Sequence, residues 1–94
     1  MVVANKNKPI RLSGKKLIDL YTNIYQRDDC CCVMCKVFVE KGTPPHHVTF
    51  RSQGGSDTKE NGVILCRSCH GLAHGPNAKG IRERLQRYLR GIYG

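Results

Sequence analysis

Apolar positions recur at helical spacing twice in this chain, toward its two ends, and run at strand spacing between them. Leu17, Leu20, Tyr21, Ile24 and Tyr25 fall every three or four residues behind Ser13, a good N-cap residue, and the pattern stops at Asp28 and Asp29. That predicts a helix over 14–27. Ile81, Leu85, Tyr88, Leu89 and Ile92 repeat the pattern and predict a second amphipathic helix over 78–91, whose other face carries Lys79, Arg82, Arg84, Arg87 and Arg90. Between them, Val37–Val39 is a short apolar run suited to a strand, and Gly42, Pro44 and Pro45 then break the chain. His47–Phe50 reads as a strand, 52–61 as a Gly-rich polar loop, and Val63–Leu65 as the returning strand; Cys66–His74 opens as a helix that Gly75 and Pro76 end. The layout is an α+β fold in which a ββα unit over about 46–75 is flanked by helices. Residues 1–12, polar and basic without a period, read as a flexible arm, and 13–94 as a single domain.

Composition says that such a domain needs help to stay folded. At 94 residues, 39% apolar, with no Trp, ten Gly and four Pro, the chain can bury only a modest core, and a metal staple is the obvious supplement. Sixteen Lys and Arg against seven Asp and Glu give a formal charge of +9, which favours a polyanionic partner. No segment approaches the roughly 18–20 apolar residues of a membrane span. Met1–Arg11 has no apolar run of signal-peptide length either, so a cytoplasmic protein with reduced thiols is expected.

Reduced thiols direct attention to metal. Cys32-x-x-Cys35 and Cys66-x-x-Cys69 are two knuckles 30 residues apart. Each such turn aims two thiolates at one point with the bite zinc takes, and two turns complete a closed four-cysteine site with no position open to substrate. Cys31 would reach Cys35 only at a longer spacing, so Cys30 and Cys31 are read as non-ligands.

All four histidines fall in two pairs around the second knuckle. His70 and His74 lie four apart on one helix face, the spacing two ligands of one ion need. His46 and His47 are adjacent on a strand, where successive side chains point to opposite faces. One of them ligates and the other stands free beside the metal as a base. His46 with His70 and His74 makes three ligands, which leaves open coordination positions and marks a catalytic site. Arg51, just past the strand, is a candidate phosphate contact, and the basic residues of the last helix are candidates for tracking a nucleic-acid backbone.

The stretch His46-His47-Val48, Arg51-Ser52-Gln53-Gly54-Gly55-Ser56-Asp57, Asn61, Leu65-Cys66-x-x-Cys69-His70 and His74 resembles the HNH, or ββα-metal, endonuclease motif. The resemblance implies a metal-dependent DNA endonuclease. Its implied metal ligands are His46, His70 and His74, its general base is His47, and Asn61 orients that base. Many relatives carry Asp where His46 stands. The catalytic cation implied is Mg2+, Mn2+, Ni2+ or Zn2+, beside a structural Zn2+. A domain this small, with no second recognition module, points to weak sequence specificity or to a partner. A single site cuts one strand, so double-strand cleavage calls for a homodimer or two encounters. The rival reading is a zinc-stapled DNA-binding module without catalysis, which would have no use for a free imidazole beside a metal; a wholly structural second zinc would want four ligands rather than three.

Overall fold

The computed structural model describes residues 8–94. Helix α1 spans Gly14–Arg27, as its periodicity predicts. Ser13 holds the N-cap position in extended backbone but makes no side-chain cap bond, so the cap chemistry expected of it is absent. The predicted Val37–Val39 strand reduces to a single antiparallel bridge between Cys31 and Phe38. Val37 and Phe38 are exposed, with no neighbouring strand to cover them.

Strand β1, His46–His47, pairs antiparallel with β2, Gly62–Val63, setting His46 opposite Val63 and His47 opposite Gly62. Both strands are shorter than the sequence suggests because side chains take over the ladder at their ends. The Thr49 amide donates to Asn61 Oδ1 at 2.8 Å, and the chain turns into a short 3-10 segment, Arg51–Gln53. The Ile64 amide donates to Asp28 Oδ2 at 2.9 Å, while its carbonyl accepts from Val33. Helix α2, Arg67–Ala73, and helix α3, Ala78–Tyr93, complete the ββα unit and its cover.

The core is small: Ile24 of α1, Val48, Val63 and Ile64 of the sheet region, and Leu85 and Leu89 of α3 are its aliphatic centre. A buried carboxylate ties these elements together. Asp28, at the end of α1, accepts from Arg27 Nε (2.8 Å) and the Tyr88 hydroxyl (2.6 Å) on one oxygen. Its other oxygen accepts from Arg27 Nη2 and the Ile64 amide. Arg27 continues to the carbonyls of Lys59 and Gly62. Burial and Asp28 together push the Tyr88 hydroxyl up to about 12, so it stays a donor.

The arm expected over 1–12 is not free over its last residues. Residues 1–7 lie outside the described residues; Ile10–Leu12 are hydrogen-bonded to the loop after β1, through the Ser56 hydroxyl and the Asp57 backbone and carboxylate. Among the described residues no helix is long and apolar enough to cross a membrane.

Candidate metal centres and cleft

The two knuckles converge. The sulfurs of Cys32, Cys35, Cys66 and Cys69 all lie within 4.8 Å of one another, and Cys35 and Cys66 are 3.6 Å apart. A tetrahedral zinc with bonds near 2.3 Å separates its sulfurs by about 3.8 Å, so the donor set and its size fit that ion. Cys30 and Cys31 stand outside the cluster. In the first knuckle the Lys36 amide donates to Cys32 O, a turn that puts Lys36 in the left-handed region at φ 70°. In the second, Cys66 is the N-cap of α2, its sulfur accepting from the Cys69 amide. Burial pushes the Cys69 thiol up, and the other sulfurs push it further. Four thiolates so close can all ionise only around a cation.

The next residue on α2 belongs to a second cluster. The ring nitrogens of His46, His70 and His74 lie within 4.8 Å of one another, with His70 Nε2 and His74 Nε2 3.2 Å apart. That fits a cation bound at about 2.0–2.1 Å. Burial, and then the neighbouring imidazoles, push His46 down to about 4, which keeps the ring neutral with a lone pair that a cation could take. His70 is lowered for the same reasons. Phe50 stacks on His74, ring centres 4.7 Å apart and 15° from parallel, and fixes its plane. Sequence reasoning gave Phe50 only a strand position; its signal was the alternation that sets 46, 48 and 50 on one side.

His46 is buried and His47 half-buried, the division strand alternation calls for. Both line one open cleft of about 460 Å³, together with Arg51, His70 and His74. The residue facing the His47 ring, however, is Asp57: its Oδ1 lies 2.8 Å from His47 Nε2. Asn61 meets other partners. Its side chain accepts from the Thr49 amide and donates to the carbonyls of Thr49 and Ser56, and its own carbonyl accepts from the Val48 amide. Asn61 therefore closes the loop, while Asp57 accepts from the Leu12 amide and meets the ring as well. A hint was available: Asp57 and Glu60 are the only acidic residues between Glu40 and Glu83. Gly55 makes the loop possible, since a Cβ there would lie 1.8 Å from Thr49 O.

The basic residues of α3 are not one row. Arg82 leans over Phe50, its guanidinium carbon 6.0 Å from the ring centre, and so stands beside the cleft. At 3.6 residues per turn, Arg84 and Arg87 lie roughly 140–160° around the helix from it. Arg51 is exposed, 3.8 Å from the Asp57 carboxylate.

Residues 32–75 match the family model described as HNH endonuclease. The type IV methyl-directed restriction enzyme EcoKMcrA of Escherichia coli (strain K12) is 37% identical over 70 residues, 66% of this chain and 25% of that protein. The chain thus spans about a quarter of the length of the curated relative it matches. No solved structure matches it.

Proposed function

Because the chain belongs, through residues 32–75, to the HNH endonuclease family, we propose that it is a metal-dependent endonuclease that hydrolyses DNA phosphodiester bonds with His47 as general base. The observation that supports this best is the cleft: three imidazoles converge on one point, and a fourth imidazole and a guanidinium open onto the same space. His46, His70 and His74 would hold one divalent cation, and Cys32, Cys35, Cys66 and Cys69 a structural zinc. When bound, the cation supplies charge stabilisation at the scissile phosphate and the leaving oxygen.

The chain's own residues do the rest. His47 takes a proton from water, whose oxygen forms a bond to phosphorus as the bond to the 3′ oxygen breaks. The products are a 5′-phosphate and, once that oxygen is protonated, a 3′-hydroxyl. Arg51 lines the same cleft, and its guanidinium fork would pair with phosphate oxygens there. Arg82, above Phe50, adds a second cation on the same side, and Lys79, Arg84, Arg87 and Arg90 give the far stretches of α3 a sequence-independent hold on the backbone. Asn61 acts on the loop rather than on the ring, fixing the segment that carries Arg51.

Incubation with supercoiled plasmid and a panel of Mg2+, Mn2+, Ni2+ and Zn2+, with and without chelator, tests the reading. Metal-dependent conversion to nicked or linear DNA is expected. DNA that is bound under every condition and never cut would overturn it in favour of a binding module.

A further inference from the structure

The loop between β1 and β2 is sewn down on two sides, and the outer seam lies outside the family-matched stretch. On the inner side stands Asn61. On the outer side the Ile10 amide donates to Ser56 Oγ (2.9 Å), and the Asp57 amide donates to Ile10 O (2.9 Å). The Leu12 amide donates to Asp57 Oδ2 (2.9 Å), and the Arg11 guanidinium donates to the carbonyls of Gly55 and Arg51. Asp57 is where this seam meets the cleft. Its side chain is 2% exposed, and its second oxygen faces His47.

We propose that Asp57 is the positioning residue for His47, holding the ring with Nε2 protonated so that Nδ1 is left to accept a proton, and that Ile10–Leu12 holds Asp57 in place. The inference rests on the endonuclease reading for its effect on cutting. Burial alone would push the Asp57 carboxyl up, but the Leu12 amide, His47 and Arg51 outweigh it and hold the group below the usual carboxylate range. An ionised carboxylate only accepts. The neutral imidazole must therefore present an N–H to it, and the nitrogen facing Asp57 is Nε2. Nδ1 makes no hydrogen bond among the described residues and keeps its lone pair. The same requirement shows what an amide would do at position 57. The Leu12 amide needs an acceptor, so an Asn side chain would turn its oxygen to Leu12 and its NH2 to His47. His47 would then have to accept through Nε2 and carry its proton on Nδ1, which disables it as a base.

The test uses the full chain, loaded with metal, and reads the His47 tautomer by 15N NMR beside plasmid cleavage. Wild type should show Nε2–H at a pH where the ring is neutral. Asp57→Asn should reverse the tautomer and slow cutting by about 10²–10⁴, the scale of losing a correctly poised base. Metal content and DNA affinity should be unchanged. Leu12→Pro, which deletes the donor to Asp57, should slow cutting about tenfold, as losing one bond to a charged group does. Combined with Asp57→Asn it should not add a further loss and should partly restore the Nε2–H tautomer, because without the Leu12 amide the Asn oxygen is free to face His47. An Nδ1–H wild type, an unchanged tautomer in Asp57→Asn, or additive losses would overturn the proposal. A wild type that cuts no DNA defeats the endonuclease reading alone, since the spectra still decide the role of Asp57. If Asp57→Asn does not fold, the wild-type tautomer decides by itself.

Discussion

The two donor clusters share helix α2 yet have opposite characters. Cys69 on its first turn is buried against the core, and the four sulfurs it belongs to would close around one ion with no position left open. His70, one residue on, is exposed and meets His74 and His46 at the wall of an open cleft. A single step along a helix, about 100° of rotation, separates a staple from a site where chemistry can happen. The arrangement also makes them unequal. The Cys cluster fixes where α2 begins, and so where His70 and the C-cap residue His74 stand, whereas nothing in it depends on the imidazoles.

Breaking the staple should therefore give the largest effect. Apparent binding energies of structural zinc run to about 10–16 kcal/mol in small metal-folded domains, more than the roughly 5–15 kcal/mol that keeps a domain folded at all. Cys69→Ser or Cys32→Ser should leave the chain unfolded at room temperature, seen as lost helical circular dichroism, and a strong chelator should do the same to wild type. His70→Ala should stay folded. Mild chelation should stop cutting without unfolding. Purified protein with no tightly held zinc by elemental analysis, or a folded Cys69→Ser, would remove the asymmetry.

The next effect lies inside the cleft, between the adjacent histidines. His47→Ala keeps all three ligands, so metal and DNA should still bind while cutting falls by about 10²–10⁴. His46→Ala loses a ligand, and added metal should partly restore its activity. Equal rescue of both variants would mean that the two neighbours have been assigned the wrong way round.

Much of this contrast is legible in the sequence. The 3.6-residue period marked α1 and α3 almost to the residue, and Cys-x-x-Cys and His-x-x-x-His spacing marked both donor sets, because ligand geometry is local and leaves a local trace. The strands were read too long, since their pairing ends where the Asn61 and Asp28 side chains take the backbone donors. The partner of the His47 ring was not legible. The bond to Asp57 crosses ten residues of aperiodic loop, and the seam to Ile10–Leu12 crosses about 45. No spacing rule encodes such contacts.

A smaller effect separates the two sides of α3. Arg82 stands beside the cleft over Phe50, while Arg84 and Arg87 face away from it. Removing any one of them should weaken duplex binding and lower the salt slope by about one phosphate contact. Only Arg82→Ala should also reduce turnover at saturating DNA, because of the three only it lies over Phe50, the ring stacked on His74. Identical turnover in Arg82→Ala and Arg84→Ala would place the whole helix in backbone contact alone.

The smallest change is confined to the staple and should leave the cleft untouched. Lys36 closes the first knuckle with a left-handed backbone, φ 70°, and its side chain is exposed. For a residue with a Cβ that conformation costs about 1–2 kcal/mol, whereas glycine adopts it freely. Glycine also gives the unfolded chain more freedom, which takes back roughly 0.4–1 kcal/mol. The balance favours Lys36→Gly by a few tenths to about 1 kcal/mol, enough to raise the melting temperature by several degrees in a domain this small. Cutting at room temperature should not change, because no donor atom moves and the lost charge lies in the knuckle rather than on the cleft. The second knuckle offers no equivalent gain, since His70 follows Cys69 within a regular helix. A Lys36→Gly chain that melts lower would mean the lysine does something there beyond closing the turn, and one that melts higher but cuts more slowly would show that staple and cleft are coupled more tightly than their shared helix requires.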